Sequence, residues 1–159
     1  MLKGNVYIDE MFYTVVQSEL ERKDNKLYRG LSKNKYCIGI ACDDDHVICF
    51  VEGKAKTSSQ KSLNAFKDHI EPGSVLIHDG EKAPNALIKE LGLKEEFYKS
   101  SAYSKLADKD NSLRKINHHC VNLRSFLDSL PGFNRVELQD YIIIFVFKTN
   151  VKGDPLTRC

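Results

Sequence analysis

Tyr36-Cys37-Ile38-Gly39-Ile40-Ala41-Cys42 is apolar without a break, and Asp43-Asp44-Asp45 separates it from a second apolar run, His46 to Val51. A strand with no polar alternation suits the centre of a sheet, covered on both faces. The aspartate triplet reads as a solvated turn, so the two runs form a hairpin. Toward the amino terminus, Asn5 to Asp9 is a further strand. Glu10 to Lys35 then reads as a polar, turn-rich connection, with basic character at Arg29-Gly30 and Lys33-Asn34-Lys35.

Beyond the hairpin the period changes. Ser58-Ser59 precedes a helix over Lys61 to Ile70, where Leu63, Phe66 and Ile70 recur at helical spacing, and Glu71-Pro72-Gly73 ends it. Val75 to Asp79 is the next strand. Pro84 opens a helix that Gly92 stops after Leu91. Glu96 to Lys99 reads as a short strand and Ser100 to Asp110 as polar loop. Asn111 or Ser112 caps a helix reaching about Ser129, with Leu113, Ile116, Cys120, Leu123 and Leu127 on one stripe. Val136 to Phe147 reads as a last helix, although Ile142-Ile143-Ile144 suits a strand by propensity alone. This order describes a mixed α/β fold in which an antiparallel hairpin feeds a parallel portion.

Composition bounds the function. A chain of 159 residues, 42% hydrophobic and 29% charged, suits one ordinary globular domain. A net charge of +2 implies no nucleic-acid partner by itself, so a basic surface must come from local clusters. Such clusters occur at Arg29, Lys33 and Lys35, at Lys54, Lys56 and Lys61, and along Lys99, Lys105, Lys109, Arg114 and Lys115. Five cysteines without a C-x-x-C pair or a signal peptide argue for a reducing cytoplasm. The longest apolar run, Tyr141 to Phe147, is far too short to span a bilayer, so no membrane role is expected.

Asp9 and Asp79 each close an apolar strand, and Asn117 lies on a later helix with Arg124 seven residues on, within about 20° of the same face. Hard divalent cations prefer such carboxylate and carbonyl oxygens. His118 and His119 point about 100° apart and are expected at the surface or facing DNA. Asn122 lies nearer the opposite face, and Glu10 reads as a solvated strand end. No zinc-site, P-loop, dinucleotide or nucleophile-elbow pattern occurs.

The motifs Tyr7-Ile8-Asp9-Glu10-Met11-Phe12-Tyr13, Arg29-Gly30-Leu31-Ser32-Lys33-Asn34-Lys35 and Ile116-Asn117, with Leu123-Arg124, Phe126-Leu127, Gly132-Phe133, Leu138 and Tyr141, resemble bacterial insertion-sequence transposases. The resemblance is to the D-D-N-K, ISXO-like type of the DDE superfamily and covers about residues 5–147 of a single domain over 1–159. It implies a ribonuclease-H-like α/β fold, a mixed sheet with flanking helices. It also implies metal-dependent phosphodiester hydrolysis and strand transfer in transposition. Asp9, Asp79 and Asn117 would hold two Mg²⁺ or Mn²⁺ ions, and Arg124 would contact phosphate. DNA, as element ends and target, is the implied partner of a homo-oligomer. Two positions depart from the family pattern: Arg124 stands where Lys is usual, and Cys120 where His is common. The amino-terminal zinc-binding and helix-turn-helix regions expected of full-length members have no counterpart in these residues. A catalytically inactive nucleic-acid-binding module and a nuclease of the same fold are the alternatives.

Overall fold

A computed structural model describes residues 1–16, 18, 20–28, 30, 32–99 and 111–151. Five strands form one sheet: β1 (Asn5–Thr14), β4 (Lys35–Cys42), β5 (Val47–Lys54), β6 (Val75–His78) and β7 (Lys94–Phe97). Their spatial order is β5-β4-β1-β6-β7. The β1–β4 and β4–β5 pairs are antiparallel, whereas β1–β6 and β6–β7 are parallel. The mixed sheet and the hairpin over 35–54 match the sequence expectation. The 96–99 strand begins two residues earlier than expected, and the 100–110 loop lies outside the described residues, as do Arg29, Lys105 and Lys109.

β1 differs more. It runs five residues past Asp9, pairing Asp9 with Ile40, Met11 with Ile38 and Thr14 with Lys35. Asp9 is therefore in mid-strand, and Glu10 is half-buried and not a solvated end. Residues 10–14 continue the period-2 alternation, with Met11 and Tyr13 buried. The following connection contains a small hairpin, β2 (Arg22–Lys23) and β3 (Lys26–Leu27). Its turn residues Asp24 and Asn25 have φ of 51° and 60°, the left-handed pair that two-residue hairpins favour.

Alternation along the strands builds two cores. On one face Val6, Ile8, Ala41 and Leu76 pack with Phe66 and Leu87 from helices α1 (Ser59–Phe66) and α2 (Asn85–Leu91). On the other face Met11, Ile38, Ile40 and Ile77 pack under α3 (Arg114–Asp128) and α4 (Leu138–Val151). Ser58 caps α1 by accepting from the Lys61 amide, and Gly92 ends α2 in a left-handed conformation. At α3 neither expected cap residue bonds the helix. The Asn111 side chain accepts from the Leu113 amide instead. Cys42 and Cys49 are buried among apolar side chains, acting as small hydrophobes.

The last helix begins after a 3₁₀ turn at Arg135–Glu137 and settles the ambiguity of the Ile142-Ile143-Ile144 run. Gln139 and Asn150, about three turns apart, both face the outer edge of β5. Asn150 accepts from the Val47 amide at 2.9 Å and donates to the Val47 carbonyl at 3.0 Å. Gln139 accepts from Val51 N at 2.8 Å and donates to Cys49 O at 3.4 Å. Two amide side chains thus satisfy an edge that would otherwise present bare backbone groups. Asn150→Ala should cost about 1–3 kcal/mol, since it strands both backbone groups of Val47. Urea unfolding checks this, and an unchanged midpoint would contradict the edge-capping role.

Candidate metal centre

The parallel pairing of β1 and β6 sets the site. Its register matches Asn5 with Val75, Val6 with Leu76 and Tyr7 with Ile77. Tyr7 and Ile77 contribute to the core beneath α3. Asp9 lies two residues past Tyr7, and Asp79 lies two residues past Ile77 and one past the end of β6. A two-residue step keeps a side chain on the same face of a strand. Asp9 therefore keeps the face of Tyr7, and the charge of Asp79, just past the end of the neighbouring strand, acts on it.

Each carboxylate is fixed by local backbone. Asp9 Oδ1 accepts from the Glu10 amide at 2.8 Å, and Asp79 Oδ1 from the Glu81 amide at 3.0 Å. The turn after Asp79 is held by His78, whose Nδ1 accepts from Gly80 N at 3.1 Å while Nε2 lies 3.1 Å from Glu95. Gly80 has φ of +89°, and an added Cβ would sit 3.3 Å from the Phe97 ring. Glycine suits that turn on both counts.

The electrostatics are unfavourable to the charge. Burial, with a further contribution from Asp79, pushes the Asp9 carboxyl up to about 6, although the Glu10 amide opposes the shift. Glu10 projects to the opposite face, across from Gly39, where an added Cβ would lie 2.4 Å from Glu52 Oε1 and 2.7 Å from the Phe66 ring. Burial, followed by the charges of Asp9 and Glu52, pushes Glu10 up to about 7. Carboxylates crowded into low dielectric repel one another, and a cation between them relieves that cost.

Helix α3 supplies the neighbours of Asp9. The Cys120 thiol donates to Asp9 Oδ2 at 3.8 Å. Burial and the Asp9 charge push that thiol well above its ordinary pKa, so it stays a neutral donor. One turn later, Arg124 donates to the Phe12 carbonyl at 3.2 Å, and Asp128 accepts from the Tyr13 hydroxyl at 3.0 Å. These contacts align one edge of α3 with β1. Asn117 is on the same edge, one turn before Cys120, but its side chain is exposed. It lines a cavity of about 900 Å³ with Tyr7, Arg114, Lys115 and His118. The structure therefore brings Asp79 within electrostatic reach of Asp9, leaves Asn117 exposed on the helix edge that carries Cys120, and ties Arg124 to the strand three residues beyond Asp9. Among the described residues no cluster of three or more His, Cys, Asp or Glu is placed to hold a metal. Among the described residues a further protein ligand would be of another type, such as the amide of Asn117.

Sequence reasoning missed Cys120 as the residue touching Asp9. Its signal was available, since position 120 lies on the buried stripe, one turn from Asn117. The neighbouring groups also behave differently from expectation. Asp43 is buried, and although burial disfavours its charge, backbone donors from Asp45, His46 and Lys3 hold its pKa below the usual value. Lys115 bonds the Asp44 carboxylate and, at 3.2 Å, the Asp43 carbonyl. Lys56 pairs with Glu81 at 3.3 Å. His119 is only partly exposed, and its Nδ1 is buried without a partner.

No protein-family model and no curated protein sequence matches the chain. Solved structures do. A chain of the simian T-cell lymphotropic virus intasome, in complex with PP2A regulatory subunit B56 gamma, superposes with a TM-score of 0.54 at 11% identity. That match covers 100% of this chain and 52% of the intasome chain, so this chain spans about half its length. The HTLV-2 integrase catalytic core domain, in complex with magnesium and in dimeric form, gives 0.52 at 16% identity, covering 93% of this chain and 86% of that one. The fold is that of an integrase catalytic core. It is ribonuclease-H-like, as the sequence resemblance implied. A chain of the Mos1 strand transfer complex also matches, with a TM-score of 0.39 at 13% identity over 92% of this chain. Among the described residues no helix is long and apolar enough to cross a membrane.

Because Asp9 titrates above its ordinary 3.8 in the folded protein, folding favours its neutral form. That contribution to stability is complete below about pH 4 and is lost as pH rises through about 6. Asp9→Asn fixes the neutral state. In metal-free buffer at pH 7.5 it should stabilise the fold by on the order of 1–3 kcal/mol, with the difference vanishing near pH 4. Thermal unfolding at the two pH values checks this, and a lower Tm at pH 7.5 would count against it.

Proposed function

We propose that this chain is the catalytic domain of a DNA transposase of the D-D-N-K type, cutting phosphodiesters and joining element ends to target DNA. The observation that carries this reading is the β1–β6 pairing, which ends two residues before Asp9 and Asp79, together with the effect of the Asp79 charge on the buried Asp9 carboxyl. The magnesium bound to the HTLV-2 integrase core supports the same metal chemistry here. Asp9, Asp79 and Asn117 would hold Mg²⁺ or Mn²⁺, an oxygen-only set suited to hard cations. Two such ions, when bound, stabilise the attacking and leaving oxygens of an in-line displacement.

The remaining work belongs to the chain's own residues. Backbone amides of Glu10 and Glu81 orient one oxygen of each aspartate, and the second oxygen of Asp9 faces the Cys120 thiol at 3.8 Å, a contact a bound cation would replace. Asn117 adds a neutral oxygen, so the site gains a ligand without further charge repulsion. Arg124 uses one donor on Phe12 O, and its planar fork retains others for a phosphate. The cavity beside Asn117, with Arg114 and His118 at its rim, suits the flanking DNA backbone. The protein would act as a homo-oligomer on DNA, as part of an insertion sequence.

The alternative of an inactive nucleic-acid-binding module draws on two contacts, Cys120 on Asp9 and Arg124 on the Phe12 carbonyl. A strand-transfer assay with Mn²⁺ separates the two readings. The parent should join DNA ends, and Asp9→Ala and Asp79→Ala should abolish joining while remaining folded. Arg124→Lys should retain appreciable activity, and Arg124→Ala should lose about 10²–10³-fold. A folded parent without metal-dependent cleavage or joining would favour the inactive module. Cleavage without joining would favour a nuclease of the same fold.

A further inference from the structure

We infer that the outer face of α4 is the interface of a symmetric, antiparallel homodimer of this chain. The inner face of α4 is fully employed. Leu138, Ile142 and Phe145 are buried, while Gln139 and Asn150 clamp β5. The outer face is apolar as well. Ile143 is 56% exposed, Ile144 44% and Phe147 65%, and Val136, in the 3₁₀ turn leading into the helix, is 81% exposed. Within the helix Ile143 and Phe147 are one turn apart and Ile144 lies about 100° round from Ile143, so the three form a broad apolar face on the side away from the sheet. A helix apolar on both sides is normally buried on both.

The charges on this face identify the occupant. Asp140 lies four residues before Ile144 and Lys148 four residues after it, both exposed. About a two-fold axis through Ile144, an antiparallel second copy sets each Asp140 opposite the other copy's Lys148. Ile144 then meets its own counterpart. A parallel pairing would instead oppose Asp140 to Asp140, which costs energy. Lys148 is already held at this surface, its Nζ lying 5.7 Å from the centre of the Phe126 ring. The face is therefore complementary to itself in one orientation only, the requirement for an isologous contact. A single helix pair is a small interface, so the dimer should be weak in free solution.

This deepens the oligomeric part of the proposed function, yet it is read without DNA or metal, so failure at one site is distinguishable from failure at the other. Sedimentation velocity of the full chain in metal-free buffer, from low micromolar to submillimolar concentration, should show a reversible monomer–dimer equilibrium. Phe147→Asp should weaken it by roughly tenfold or more. Asp140→Lys and Lys148→Asp should each weaken it, the double exchange should restore it, and an equimolar mixture of the two single variants should form the heterodimer. Thermal unfolding of each variant confirms that the monomer is intact. A chain monomeric at every concentration would overturn the proposal, as would a dimer indifferent to these substitutions. So would charge variants that the double exchange fails to rescue. Dimerisation appearing only after removal of residues 152–159 would make the chain's own terminal segment the occupant, and that too would overturn it.

Discussion

The parallel pairing of β1 with β6 is the constraint from which the rest of the site follows. Strands joined in parallel need a crossover, and residues 55–74, including α1, provide it. Once Tyr7 is matched to Ile77, Asp9 follows two residues on along β1, and Asp79 follows in the turn that closes β6. Mid-strand placement makes Asp9 rigid and also desolvates it, which raises its pKa to about 6. Rigidity and electrostatic strain therefore have one origin. A slip of one residue in this pairing would turn one aspartate to the other face and dissolve the site.

Two helices keep that geometry in place by different means. α3 lies along β1 through Cys120, Arg124 and Asp128, which reach Asp9, Phe12 and Tyr13 in turn. Those three contacts set the rotation of the helix and hence the edge on which Asn117 stands. α4, on the same face, acts at the sheet's margin by satisfying the open edge of β5. The antiparallel half is thereby closed at its margin, and the strands that carry Asp9 and lead into Asp79 stay in the middle of the sheet. A tilted ring contact of Phe133 with Tyr141, centroids 4.8 Å apart, ties the connection between the two helices to the start of α4.

Much of this was legible in the sequence because hydrophobic period and turn residues agreed with tertiary context. The unbroken run Tyr36 to Cys42, the Asp43 turn and the stripe Leu113 to Leu127 all correspond to observed elements. What escaped was where polar residues were buried. Glu10 ended the expected strand because an acidic side chain is costly in a sheet centre, yet β1 continues through it and leaves it half-buried. Local rules fail most often where a site demands such a residue. Asp24-Asn25 formed a hairpin that a polar segment disguised. Helical phase placed Asn117 and Arg124 on one edge, but phase cannot report depth. It did not reveal that Cys120 would be the group against Asp9, nor that Arg124 would bond the Phe12 carbonyl.

Asp9 and Asp79 would act together, as two walls of one cation site. Anomalous diffraction from crystals grown with Mn²⁺ tests this without reference to DNA or turnover. An anomalous peak bonded to carboxylate oxygens of both Asp9 and Asp79 is expected, with the Asn117 side chain turned toward it. Manganese bound only elsewhere, or no peak at a concentration that supports strand transfer, would contradict that joint action.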